Sequence, residues 1–410
     1  MRYNSGNIVQ PFRKNVSCMF IIYWVVLVFW QNVGGAEVRS SVDMVIKIGL
    51  LAYFVWFYLR KAKRISKKIV WVFLLSASLL ITAAREEQFP LSNVIAYAFP
   101  IIFITMVYGL GDRMEINRQH LVAFCNCVIA ITLYAAIYAV IFCWDQFETV
   151  FMINIAYGNE LSSFFASNFE YGMYLVAAII CCLISLKYNN DSRKKKRFYI
   201  CCIVVFSINL ILTFSRTALF AIFGFFLVYM LFGKGKLRRW ILALMLISLV
   251  AVFVSPDLRT FPFNVVLKRN ALGDRDILAV NAIEYFANGS VADILFGHGI
   301  YKSRVYFELE YGHGSVHNAY LQMLLYSGLV GFLFMLIFLL AQVYVSFRTI
   351  RRDRFIGIVS FGCVMMAMMM MMSTTAIIFT SSIDSYFLTM FFIVVPKYVR
   401  NSLYRGSFDS

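Results

Sequence analysis

Arg216 sits in Thr213-Phe214-Ser215-Arg216-Thr217-Ala218, a tight turn between two apolar runs. An ionisable group beside hydrocarbon is costly unless something compensates it. A guanidinium in that place either snorkels to lipid headgroups or holds a phosphate, which its planar fork grips through paired hydrogen bonds. Three of the chain's four histidines, His298, His313 and His317, fall in one long polar stretch from Ser255 to His317. An imidazole, with an ordinary pKa near about 6.5, accepts a proton at neutral pH. His313 and His317 are spaced i, i+4, and with His298 they would offer three nitrogens to a metal. Two glycines flank His313 and no carboxylate completes a set at a recognisable spacing. The expectation is therefore a site with neither metal nor cofactor.

What must position these residues is a membrane bundle. Hydrophobic residues make up 61% of the 410 and charged ones 14%, far from the balance of a water-soluble domain. The apolar residues form blocks long enough to cross about 30 Å of hydrocarbon as helices. Read in order, they predict spans near 17–32, 44–59, 69–84, 94–110, 121–143, 170–186, 199–214, 217–232, 240–255, 319–347, 356–379 and 383–396. The expected fold is all-α, a single polytopic integral membrane domain over residues 1–410 with about a dozen spans. Residues 256–317 form one long non-cytoplasmic loop between spans nine and ten. With both termini cytoplasmic, 28 of the 38 Lys and Arg residues fall in cytoplasmic loops and tails, and nine fall on the other side. That bias follows the positive-inside rule. The net charge of +17 then reads as topology and contact with anionic headgroups, and nothing resembles a nucleic-acid reading module.

Other features are blander. Arg13 and Lys14 precede an apolar run ending near Gly34-Gly35-Ala36, as in a secretion signal. The bulk of Trp24, Phe29 and Trp30 favours an uncleaved anchor. All nine cysteines fall within expected spans and read as small buried apolar residues. Met365 to Met372, seven methionines and one alanine, reads as packing within a span. Inside the long loop, Lys268-Arg269 and Gly273-Asp274-Arg275-Asp276 precede an amphipathic run from Ile277 to Phe286. Phe296-Gly297-His298-Gly299 follows, then Gly312-His313-Gly314-Ser315-Val316-His317-Asn318-Ala319-Tyr320, which leads into the tenth span.

In these stretches the chain resembles the O-antigen ligase and polysaccharide polymerase family. The resemblance rests on Ser215-Arg216-Thr217, on Arg275 before a helix, on Gly297-x-Gly299, and above all on His317-Asn318-Ala319-Tyr320-Leu321 with Gly328 and Gly331 after it. It covers about residues 160–347. It implies a metal-independent glycosyltransferase in the bacterial inner membrane, acting at the outer face on a polyprenyl-diphosphate-linked glycan and a sugar hydroxyl. Carried over, Arg216 and Arg275 would bind the diphosphate leaving group, and His317 would orient or deprotonate the acceptor. Gly297, Gly299, Asn318 and Tyr320 would line the substrate. Fixed cations suit a departing diphosphate, because charge grows there in the transition state. Where the family often has an Asn-Pro-Asn-like stretch, this chain has Ser167-Asn168-Phe169-Glu170. Asn168 matches, and Glu170 stands as a rival base.

The leading expectation is a polymerase joining lipid-linked repeat units into an O-antigen or capsule. Its partners would be the donor glycan, the acceptor glycan, membrane lipids, a chain-length regulator and a flippase. A ligase moving a finished glycan to another acceptor is the near alternative. A flippase or transporter is the alternative from another class. Against it, Arg60 to Lys68 lacks a Gly-x-x-x-Asp-Arg type motif, the halves show no repeat, and acidic residues are scarce inside the spans.

Overall fold

Every regular element among the described residues is an α-helix, the solution open to a chain that must satisfy its backbone without water. The computed structural model describes residues 118–143, 161–189 except 166, 192–235 except 214, 275–351 except 313, and 353–374. It also describes positions 48, 49, 52, 74, 77, 78, 81, 82, 84–86, 238 and 239. The expected spans at 17–32, 94–110, 240–255 and 383–396 lie outside the described residues, and those at 44–59 and 69–84 fall within them only at isolated positions. Four described helices are long and apolar enough to cross a membrane: Leu121–Phe142, Asn168–Tyr188, Ala319–Ile350 and Arg354–Met371. The chain is a multi-pass membrane protein. It divides into two compact units, Met1–Met44 with Ile116–Leu219, and Val45–Glu115 with Phe220–Ser410.

In the first unit, α1 (Arg118–Phe142) packs on α2 (Asn168–Tyr188), and α2 packs on α3 (Arg193–Leu212). Serines cap the starts of α2 and α3. Ser167 Oγ accepts from the Glu170 N–H and Ser192 Oγ from the Lys195 N–H, the usual serine N-cap. Polar side chains then tie the helices together. The Tyr199 hydroxyl donates to Asn126 Oδ1 at 2.9 Å, Asn189 Nδ2 donates to the Tyr199 oxygen at 2.8 Å, and the Tyr171 hydroxyl donates to Asn209 Oδ1 at 2.9 Å. Such contacts fix the pairing of helices that lipid alone would not drive together.

Next, α4 (Arg216–Phe232) leads into the second unit, which holds α5 (Arg275–Ala287), α6 (Val291–Phe296), α7 (Ile300–Tyr311), α8 (Ala319–Ile350) and α9 (Arg354–Met371). The long loop is thus helical over most of its described length, beyond the one run expected at 277–286. α8 and α9 form an antiparallel hairpin. Ser346 and Ser360 share a hydrogen bond of 2.7 Å, and Gly357 lies against the backbone of Thr349 and Ile350. Antiparallel to α9, α4 seats Gly224 on Met369 and Phe225 on Gly362, with Arg354 Nε donating to the Phe232 carbonyl at 2.6 Å. The methionine-rich stretch supplies this packing, with Met366, Met370 and Met371 buried, as an adaptable thioether side chain allows. Of the eight described cysteines, six are buried, while Cys127 is half-buried and Cys201 exposed.

One expected span is not continuous. Gly328 breaks α8 with φ 64° and ψ −168°. The helix after the break, residues 329–350, is about 33 Å long at 1.5 Å per residue, enough to cross the hydrocarbon by itself. Residues 319–327 are therefore a separate short segment, and they pack with the loop helices.

Candidate functional site

The first unit gathers Asn168, Glu170 and the turn before Arg216. Asn168, the first residue of α2, donates from Nδ2 to the Thr213 carbonyl at 3.0 Å. Thr213 Oγ1 in turn accepts from the Ser215 N–H at 3.2 Å. Gly172 lies so close that a Cβ there would stand 2.8 Å from the Ala218 Cβ. The first turns of α2 and α4 are thus flush against each other, with Arg216 the first residue of α4. Two helix N-termini in contact create a local field that favours an anion. Glu170 lies half-buried in the first turn of α2, where a carboxylate complements the same dipole.

The second unit gathers Arg275, Gly297, His298, Gly299, His317, Asn318 and Tyr320. Arg275 opens α5 and is exposed. Leu278 and Ala282 of that helix share an apolar cluster with Phe307 of α7, Val316 and Leu325 of α8. Leu278 is one turn beyond Arg275 and Val316 is adjacent to His317, so one small core carries both residues. His317 is half-buried and holds a left-handed backbone, φ 51°. That conformation is uncommon outside glycine, and it is the kind of strain that collects at functional sites. Beside it, Asn318 caps α8, its Oδ1 accepting from the Tyr320 and Leu321 N–H groups at 3.0 and 3.2 Å. The Tyr320 hydroxyl donates to the Met368 carbonyl at 3.0 Å, pinning α8 to α9. Asn318 and Tyr320 therefore have structural duties that frame His317. His313 lies outside the described residues.

Gly297-His298-Gly299 crosses from α6 to α7 through the break in α8. In a continuous helix the Leu325 carbonyl would accept from the N–H of residue 329; here the His298 N–H donates to it at 2.7 Å. The crossing is backbone on backbone: a Cβ on Gly297 would stand 2.6 Å from the Ser327 nitrogen. Gly297 (φ 87°, ψ 164°) and Gly299 (φ 96°, ψ 165°) occupy a region essentially reserved for glycine. The His298 ring stacks on Tyr285 with centroids 4.3 Å apart, and Tyr285 stacks on Tyr306 at 4.1 Å. Burial pushes the His298 imidazole below its ordinary value, although the Asp293 carboxylate and a hydrogen bond with the Tyr285 backbone pull the other way.

Residues near position 85, which sequence reasoning passed over, grip this crossover. Thr82 Oγ1 donates to the Phe296 carbonyl. Arg85 Nη1 donates to the carbonyls of Ala292 at 2.8 Å and Gly297 at 3.3 Å, and Nη2 to Asp293 Oδ1 at 2.7 Å. Buried Glu86 accepts the Tyr301 N–H at 2.8 Å on Oε1, at the start of α7. Burial would raise the Asp293 carboxyl, but hydrogen bonds from Ser290 and Arg85 outweigh it and hold the group below its ordinary range. The signal available in sequence was an Arg-Glu pair closing an apolar block, which looks like any polar end of a span.

Residues 200–336 match a family described as O-antigen ligase, a stretch that contains Arg216, Arg275, the crossover and His317. No curated protein matches the chain.

Proposed function

With an O-antigen ligase family domain at residues 200–336 as the premise, we propose that the protein transfers a glycan from a polyprenyl-diphosphate carrier to a sugar hydroxyl at the outer face of the membrane. The product is a surface polysaccharide, an O-antigen or capsule, built by joining lipid-linked repeat units. The observation that carries this reading is the placement of the three candidate residues. Arg216 and Arg275 each open a helix, and His317 stands strained just ahead of the α8 cap. Cations at helix N-termini suit a diphosphate whose charge grows as the glycosidic bond breaks. His317 then takes the proton of the attacking hydroxyl, or orients that hydroxyl, as Arg216 and Arg275 hold the leaving group. Glu170, beside the Arg216 turn, is the rival base.

A ligase-type reaction, in which a finished glycan moves to a different acceptor, is favoured as the second reading by the description of the matching family. Purified protein in nanodiscs, given a lipid-linked repeat unit alone, separates the two. A ladder of lengthened lipid-linked glycan supports polymerisation; transfer only when a lipid-core or protein acceptor is added supports ligation. The same assay in excess chelator should run unchanged. Loss of turnover that zinc or manganese restores would revive a histidine metal site, and no product under any acceptor condition would overturn the transfer reading.

A further inference from the structure

The grip on the crossover comes from outside the segment that the family comparison covers, and its geometry suggests a purpose. Arg85 binds the Ala292 carbonyl and the Asp293 carboxylate in the first turn of α6 and the Gly297 carbonyl just past its end, while the next residue, Glu86, caps the amino end of α7. Between those two anchors run the three residues that supply the missing hydrogen bond to Leu325. A Cβ on Gly299 would collide with the Glu86 carboxylate, so the carboxylate is packed directly on the crossover backbone. The short segment 319–327 is cut off from the rest of α8 by the break at Gly328. Its direction is therefore set by its neighbours: the apolar cluster around Leu278 and Phe307, the Tyr320 bond to α9, and the crossover.

We propose that Arg85 and Glu86 are positioning residues for the transfer reaction: they lock the Gly297–Gly299 crossover into the break of α8 and so fix the segment that begins at His317 and Asn318. The proposal rests on the transfer reading above. Neither residue touches the reacting groups; each acts through the crossover. A guanidinium is needed at position 85 because it reaches three acceptors on one short helix, which the single ammonium of lysine cannot match in geometry. At position 86 the requirement is an acceptor oxygen for the Tyr301 N–H, which glutamine also supplies. Displacing a catalytic group by about 1 Å can cost on the order of 100-fold in rate, so a modest loosening of the crossover is enough to slow transfer.

Two readouts on the full-length protein in nanodiscs test this. Hydrogen exchange reports the crossover and residues 317–328 directly, and turnover of the lipid-linked repeat unit reports the reaction. Arg85→Ala and Glu86→Leu should speed exchange across 317–328 and lower kcat at least about tenfold, with the donor KM within about twofold. Glu86→Gln should recover most of what Glu86→Leu loses. Arg85→Lys, which keeps the charge but reaches fewer of the three acceptors, should fall between the parent and Arg85→Ala in both readouts. These two milder variants decide the matter if the harsher ones fail to fold. The proposal is overturned if exchange at 317–328 is unchanged in folded variants, if kcat is kept, or if Glu86→Gln is as impaired as Glu86→Leu. A wild-type protein without turnover would sink the transfer reading, and the exchange measurement would still decide whether the lock controls 317–328.

Discussion

His317 carries two properties that can be separated by substitution, its imidazole and its left-handed backbone. Glycine removes both the imidazole and the strain; asparagine removes the imidazole but tolerates the conformation. Both variants should therefore fold, with His317→Gly as stable as the parent or better by up to about 1 kcal/mol, and both should lose nearly all turnover if the ring handles the acceptor proton. Thermal unfolding in detergent alongside the glycan assay checks this; retained turnover in either variant would return the residue to a purely structural role. Arg216 permits a similar separation of charge from shape. Lysine keeps the charge and discards the fork, so Arg216→Lys should lose much of the activity and Arg216→Ala nearly all of it, at normal expression. Full-length product from the alanine variant would leave Arg216 as an arginine snorkelling to headgroups.

At the scale of elements, the broken α8 and the crossover are one construction, held by glycines whose backbone angles no other residue adopts easily. Gly328→Ala would place a side chain against the Leu295 backbone and 2.5 Å from the Gly297 nitrogen, in a region costing about 1–3 kcal/mol before any clash. Gly312→Ala offers a control: it has positive φ, but nothing within 4 Å of the added Cβ, so it should cost only about 1 kcal/mol. A Gly312 variant as damaged as the Gly328 variant would contradict this account. The same region should loosen in acid. His298 titrates below its ordinary 6.5, so stability is complete above that value and falls as the pH drops toward its folded value. Asp293 sits below 3.8, so its contribution is full above 3.8 and is lost only at still lower pH. Hydrogen exchange of residues 290–301 should rise as the pH is lowered from 7 to 5, after correction for intrinsic rates, and His298→Phe should flatten that rise. Sequence showed the glycines and the histidine but not this assembly. Gly328 reads as one more small residue in an apolar run, and Arg85 and Glu86 lie more than 200 positions from the groups they bind. Nothing local encodes such a pairing. Several described spans, such as those expected at 121–143 and 170–186, were legible within a few residues, because hydrocarbon enforces their length and composition one helix at a time; the break at Gly328 and the end of α9 at Met371, well short of the expected 379, were not.

For the molecule as a whole, the side of the membrane on which the crossover lies decides whether a donor lipid facing outward can reach it. The ends that Arg85 and Glu86 tie to α6 and α7 share one side with the start of α8. The positive-inside bias read from the sequence predicts that this side is the exterior, with basic runs such as Arg193 to Arg197 inside. Leu309 on α7 is 79% exposed and outside the apolar cluster, so Leu309→Cys should leave the fold intact. Ser290 would be a poorer choice for a label, since its hydroxyl caps α6 and binds Asp293. An impermeant thiol reagent on intact cells should modify Leu309→Cys and spare Lys194→Cys, which should react only after lysis. The native cysteines should give little background, because most described ones are buried and Cys201, though exposed, falls in the span expected from sequence at 199–214, where a charged reagent would not enter. Labelling in the reverse pattern would place the crossover and His317 on the cytoplasmic side, and glycan transfer at the outer face would then have no site.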